Sequence, residues 1–399
     1  MNLSQILKQN IAGKLLNHGI VFLINVVIVR SLQAEESGYF FNNLYLINFL
    51  AFLFSVGLDY SAIAWISREP LAAPSIHKKL IEVVLFFSAL MLIVSFVILP
   101  ETSLQLYRYS TSIVLFSSGN LMLILFQGFL SAQKKFNLQN LILAFSNLCF
   151  LIFLLFINKG QISISIISFG YGLLYFIQGL LMITFSYQKQ VSNPVRIKWP
   201  AFFKHGFFIM ISSLVYFCFL RTDNFFVEKY CSGITLSNYV QCGKVGQYFI
   251  YFSSVISSTL LPFLSSEKIT SSYHEWKQLI KPYFILIITG AVILISSGKY
   301  IYPLVFGKDF SEMNHYMIIL LPGFVCLGLL TLINAVYLSK GNVKKIFKGD
   351  IIGFFIVLIA DTFLVPQYGV YAAAIVSSIS YVIVFLYLWK DVRNQFNES

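Results

Sequence analysis

Six charged side chains fall inside stretches that are otherwise apolar: Lys14, Asp59, Arg221, Asp223, Lys244 and Asp361. A charge at the centre of a membrane-spanning helix is disfavoured by roughly 2.5–3.5 kcal/mol on insertion scales, so charges retained there usually line a path or a site. Arg offers a two-pronged fork and Lys a point charge, and both suit a phosphate or a similar anion. Arg221 and Lys244 are the first choices for such a contact, with Lys14 and Arg30 next. The amides of Asn25, Gln241 and Gln247, with Tyr216 and Tyr248, suit sugar-like hydroxyls. Asp59, Asp223 and Asp361 can balance these cations or take up and release a proton. Plainer roles stay open. Arg221 and Asp223 are two residues apart and do not face each other on a straight helix, and either can snorkel to an interface. Asp59 can cap or pair near a helix end, Arg30 suits an interface, and His18 suits a packed helix face.

The elements that must position these groups are membrane helices. The chain is 58% hydrophobic and only 11% charged, with Phe at 41 of 399 positions and a mean hydropathy of +0.78. That balance excludes a soluble domain. About twelve runs reach the ~20 residues that a bilayer requires: 11–29, 39–65, 80–99, 109–131, 138–157, 162–186, 206–230, 238–264, 279–297, 316–338, 346–365 and 370–389. Pro70, Pro74, Pro100, Pro194, Pro200, Pro303 and Pro366 are expected at or between helix ends, where proline is tolerated. The first run lacks the pattern of a cleaved leader and is expected to remain as a helix. Lys14, His18 and Asn25 recur at spacings of four and seven, which puts a polar stripe on one face of that helix. The second run carries Asn42, Asn43, Asn48 and Asp59, the seventh Arg221, Asp223 and Asn224, and the eighth Asn238, Gln241, Lys244 and Gln247. The third, ninth and twelfth hold little but Ser and Thr in their middles. The first, second, seventh and eighth runs are therefore the expected wall of a cavity.

Nineteen Lys and Arg fall in one set of alternate loops and seven in the other: Arg30, Arg108, Lys159, Arg221, Lys229, Lys299 and Lys308. Positive charge marks the cytoplasmic side, so both termini are expected there, together with Trp65, Trp199, Trp276 and Trp389 at the same interface. The net charge of +12 thereby reads as orientation, with no tail or aromatic motif for nucleic acid. Lys344, Lys345 and Lys348 suit anionic lipid headgroups. The five cysteines form no CxxC pair, so neither a disulfide framework nor a metal site is expected. Three weak self-similarities have similar offsets, of 208, 209 and 200 residues. Phe129-Leu130-Ser131 matches Tyr337-Leu338-Ser339, Asn158-Lys159-Gly160 matches Gln367-Tyr368-Gly369, and Ser37-Gly38-Tyr39 matches Ser237-Asn238-Tyr239. Six helices per half make the halves parallel repeats. An N-lobe of residues 1–195 and a C-lobe of 196–399 follow, with a substrate expected between them.

Several segments resemble the multidrug, oligosaccharidyl-lipid and polysaccharide exporter superfamily, and within it the bacterial O-antigen and polysaccharide-repeat flippases. They are the stretch from Arg30 to Phe40, Gly57-Leu58-Asp59-Tyr60, Arg221-Thr222-Asp223, the stretch from Phe306 to Phe310, and the stretch from Val365 to Ala374. Asp361 departs from the pattern, which has an uncharged polar residue there, and the chain is short for the family. The resemblance implies an all-α, two-lobed, V-shaped bundle in the bacterial inner membrane. It would move a polyprenyl-diphosphate-linked oligosaccharide from the inner to the outer leaflet, among membrane lipids and alongside a polysaccharide polymerase and chain-length machinery, without a cofactor. A drug or cation antiporter of the same superfamily is the nearer rival. A membrane polymerase is the further one, and the longest external loop expected, 301–315, is short for its chemistry. No HExxH, GxSxG, P-loop or GxGxxG stands in a fitting context, so the chain does not read as an enzyme.

Overall fold

The computed structural model describes residues 3–93, 110–157, 163–187, 197–266, 269–339 and 342–397. Every regular element among them is helical. The helices are α1 (Leu3–Ser31), α2 (Ala34–Ser55), α3 (Leu58–Arg68), α4 (Ala73–Ile93), α5 (Ser110–Ala132), α6 (Phe136–Phe156) and α7 (Ile164–Ser186). They continue with α8 (Trp199–Tyr230), α9 (Gly233–Ser266), α10 (Ile269–Phe306), α11 (Met313–Ser339), α12 (Val343–Tyr368) and α13 (Val370–Asn397). Short 3₁₀ turns cover Pro70–Ala72 and Lys308–Phe310. Among the described residues nine helices are long and apolar enough to cross a membrane, or ten if the bent pair α2 and α3 counts as one span. This is the all-helical, multi-pass architecture expected from hydropathy. The helix α4 falls outside that count and carries His77, Lys78, Lys79 and Glu82 in its first turns. So does α9, whose first turns carry Asn238, Gln241, Lys244 and Gln247.

Four differences from the sequence reading have local causes. The expected second span is broken, with a 44° bend between α2 and α3. At the break Val56 and Gly57 adopt φ of 50° and 64°. Glycine reaches that left-handed region at no steric cost, and a Cβ on Gly57 would also lie 2.2 Å from the Gly206 carbonyl oxygen. Secondly, Pro366 lies inside α12 and Pro303 inside α10, each within the last turn of its helix. Thirdly, α8, α9 and α10 are longer than their apolar runs because polar turns extend them. Lastly, the 301–315 loop shrinks to the turn between Phe306 and Met313. The third run continues past Ile93, and its end lies outside the described residues.

The chain forms two compact units: residues 1–32 with 43–214, and 33–42 with 215–399. The expected lobe boundary at 195/196 falls among residues outside those described. The helices α2 and α8 each contribute one part to one unit and the rest to the other. In unit 1, α3, α4, α5 and the start of α8 bury Leu58, Ile76, Leu80, Phe126, Phe129 and Phe202. Amides tie α1 to this unit, since Asn147 donates to Asn17 at 2.8 Å and Gln178 donates to Asn147 at 2.9 Å. In unit 2, Tyr302, Phe310, Tyr337, Val357 and Ala373 are buried.

The same helix pairings occur in both units at the six-span offset. Unit 1 packs α5 on α7, α3 on α5, α4 on α5 and α6 on α7. Unit 2 packs α11 on α13, α9 on α11, α10 on α11 and α12 on α13. Corresponding glycines allow the closest of these contacts: a Cβ on Gly119 would meet the α7 backbone at 2.4 Å, and one on Gly323 the α13 backbone at 2.8 Å. Close backbone approach through small residues suits membrane helices, which gain little from apolar burial against one another. The repeat is also visible inside unit 2, where Ser37 and Ser237, matched in sequence, share a 2.7 Å hydroxyl hydrogen bond with both side chains buried.

Candidate functional site

The polar interior of unit 2 is built on α8. Over Tyr216–Asn224 this helix places Tyr216, Arg221, Asp223 and Asn224 inside the unit rather than toward lipid. Arg221 is 6% exposed, Asp223 4% and Asn224 3%. Asp223 is the most completely bonded of them. Its Oδ2 accepts from the Tyr239 hydroxyl of α9 at 2.6 Å and from the Ser377 hydroxyl of α13 at 2.7 Å, while Oδ1 accepts from the Asn224 backbone N–H at 2.8 Å. These O–H···O lengths are in the range of charge-assisted bonds. The partners come from two neighbouring helices and not from Arg221, as the two-residue spacing on one helix requires.

Beside this carboxylate lies a cleft of about 370 Å³, counted with the open space at its mouth. Its polar lining is Arg221, Asp223, Asn224, Tyr239, Gln247 and Tyr381, and its apolar lining includes Leu320 and Phe324 of α11. Gly243 of α9 also lines it, and a Cβ there would stand 3.3 Å from Nη1 of Arg221, so the guanidinium lies against this glycine. The next residue, Lys244, is half-buried, with its ammonium 2.7 Å from the centroid of the Phe41 ring. A cation over an aromatic face gains electrostatically from the ring quadrupole.

Of the residues singled out from sequence, Arg221, Asp223 and Gln247 meet at the cleft, and Lys244 adjoins it. Gln241 is wholly buried one turn away. Asp361 of α12 is also wholly buried, within electrostatic reach of Asp223, and neither of its carboxyl oxygens has a hydrogen-bond partner. The remaining four belong to unit 1. Lys14 and Arg30 are exposed on α1, Asn25 is buried there, and Asp59 stands in the first turn of α3 with its Cβ against Gly128.

Three contributors escaped the sequence reading: Tyr239, Ser377 and Tyr381. The last span holds little but Ser and Thr among its polar residues, yet Ser377 is one of the three donors to Asp223. The cleft wall accordingly includes α11 and α13 as well as α8 and α9. Among the described residues no group of three or more His, Cys, Asp or Glu could hold a metal ion.

No family model and no curated protein sequence matches the chain. Solved structures do. The lipid II flippase MurJ in an inward closed conformation superposes with a TM-score of 0.74, at 19% identity over 98% of this chain and 87% of that one. The chain has the fold of these membrane transporters. A multidrug resistance MATE family transporter of the MOP superfamily, inward-facing, gives 0.72 at 12% identity, covering 96% of each chain. A MOP superfamily transporter from Pyrococcus furiosus gives 0.69 at 11% identity over 97% and 95%, and is described as having a binding pocket of reversed polarity that suggests a different function. One transporter fold therefore carries pockets of differing charge, and the side chains of this chain must supply the argument for its substrate.

Proposed function

We propose that the chain is a flippase. It translocates polyprenyl-diphosphate-linked oligosaccharide repeat units, of an O-antigen or a related polysaccharide, from the inner to the outer leaflet of the bacterial inner membrane by alternating access. The observation that carries this reading is the pair of cations in unit 2, Arg221 at the cleft and Lys244 beside it. A lipid-linked sugar diphosphate needs cations for phosphate, hydrogen-bonding groups for hydroxyls and apolar surface for its tail. In a site of low dielectric, Arg and Lys hold phosphate by charge-assisted bonds. Gln247, Asn224 and the tyrosines suit the sugar, and Leu320, Phe324 and Leu327 suit an apolar portion. The MurJ neighbour, a lipid II flippase by name, is consistent with a lipid-linked substrate. Lys14, Arg30 and Asn25 of unit 1 would add contacts, and Asp59, Asp223 and Asp361 would balance charge or couple transport to protons.

A drug or cation antiporter is the second reading, favoured by the MATE neighbours and by the buried carboxyl groups of unit 2. Arg221 and Lys244 disfavour a cationic drug at that cleft. A deletion strain separates the two. Loss of surface polysaccharide, with lipid-linked repeat units accumulating on the cytoplasmic face, supports the flippase. Normal polysaccharide with altered drug tolerance supports the antiporter.

A further inference from the structure

Two glycines of α9 stand against side chains that line the cleft, and they differ in what requires them. A glycine inside a helix is less favourable than an alanine, so each asks for a reason. Gly246 has an ordinary one. A Cβ there would lie 2.2 Å from the Phe324 ring of α11, with two further ring atoms at 2.3 and 2.4 Å, so the packing of α9 on α11 leaves no room for it. Gly243 has no such reason. Beyond its own helix backbone and chain neighbours, a Cβ there would have a single heavy atom within 4 Å, Nη1 of Arg221 at 3.3 Å. Backbone conformation does not ask for glycine either, because the glycines with positive φ among the described residues are Gly57, Gly307 and Gly369.

What remains is the guanidinium and the cleft itself. Tyr239 stands one turn before Gly243 and Gln247 one turn after it, and all three line the cleft at the four-residue spacing that keeps residues on one helical face. Between the two side chains the lining is bare helix backbone, so the cleft face of α9 carries a notch at Gly243. The buried Arg221 of α8 lays its guanidinium against that notch. The missing side chain does two things. It leaves space open in a cleft of only about 370 Å³. It also lets the flat guanidinium recede toward α9, where a methyl group would press it out by a few tenths of an ångström.

We propose that Gly243 is a positioning residue for anion binding in unit 2: it seats the guanidinium of Arg221 against α9 and keeps the space before it open for a phosphate group. The phosphate rests on the flippase reading, whereas the seat does not. A guanidinium holds phosphate through two parallel bonds that must be met together, while an ammonium acts as a point charge on a flexible stem. A displaced fork therefore loses more than a displaced ammonium. Filling the notch should harm a chain with Arg at position 221 more than one with Lys there.

The test has one arm without ligand and one with it. In the first, unfolding temperatures of the purified full-length variants form a double-mutant cycle. With Arg221→Ala the guanidinium is gone, and adding Gly243→Ala should raise the unfolding temperature by about 2 °C through helix propensity alone. With Arg221 present, Gly243→Ala should give no rise, or a fall. The same change in both backgrounds overturns the seat, because the glycine then answers to something other than the guanidinium. A Gly243→Ala variant that fails to fold while the double variant folds supports the seat, and failure of both overturns it. In the second arm, farnesyl diphosphate is the probe. Its affinity should fall about tenfold in Gly243→Ala, the low end of what one bond to a charged group is worth. Adding Gly243→Ala to Arg221→Lys should lower it by less, and adding it to Arg221→Ala should not lower it further. Unchanged affinity in Gly243→Ala, or an equal fall in all three backgrounds, overturns the positioning role. If the unfolding cycle shows the coupling but the wild type binds no farnesyl diphosphate, the phosphate assignment fails while the seat stands.

Discussion

Asp223 is held by two hydroxyl donors from separate helices, and removing each in turn measures how the carboxylate is anchored. Ser377→Ala deletes a 2.7 Å bond and Tyr239→Phe a 2.6 Å bond to the same Oδ2. A hydrogen bond to a neutral partner between membrane helices averages about 0.6 kcal/mol, with a maximum near 1.7. A bond to a charged group is worth about 1.5–3 kcal/mol. The lengths and the third donor, from the Asn224 backbone, fit an ionised acceptor. Each single substitution should therefore cost about 1.5–3 kcal/mol, and the double should depart from additivity because both donors share one oxygen. Both changes delete only a hydroxyl, so packing loss is small. Thermal unfolding of the purified variants in detergent, at unchanged expression, reads the cost. Two singles within about 0.5 kcal/mol of the wild type, the range of an ordinary surface substitution, would show that Asp223 is not anchored in this way.

Three further outcomes are expected. Arg221→Ala and Lys244→Ala should each reduce surface polysaccharide strongly at normal protein level, with Arg221→Lys retaining part of it because charge survives while the fork is lost. Gly57→Ala should cost at least about 2 kcal/mol in unfolding measurements, since it adds roughly 1–2 kcal/mol of left-handed strain to a clash with the Gly206 carbonyl; wild-type stability would refute the bend as described. Reporter fusions after Lys198 and after Lys308 should give opposite sidedness, and the same sidedness at both would overturn the orientation drawn from loop charge.

The spans were legible because each needs about 20 apolar residues and few other elements do. The α2–α3 bend was not, since Gly57 sits within a stretch long enough to be one span and the bend depends on its backbone meeting Gly206, far away in sequence. Arg221, Asp223 and Lys244 stood out because charge is costly in a membrane. Tyr239, Ser377 and Tyr381 did not, because hydroxyls on membrane helices commonly bond to their own backbone, as Ser117 and Ser253 do here. The match between Ser37 and Ser237 was visible as a repeat, but its closure into a hydrogen bond follows from how α2 and α9 begin side by side.

The most direct test of the central claim is a flipping assay. Wild-type protein and the Arg221→Ala/Lys244→Ala variant are reconstituted into vesicles, and the appearance of a polyprenyl-diphosphate-linked oligosaccharide on the opposite leaflet is followed under an imposed potential. A diphosphate carrying about two charges should feel roughly 2.3 kcal/mol per charge per 100 mV. Rapid, potential-sensitive movement by the wild type and little by the double variant is the predicted result. Equal movement by both would contradict the assignment of these cations to the phosphate.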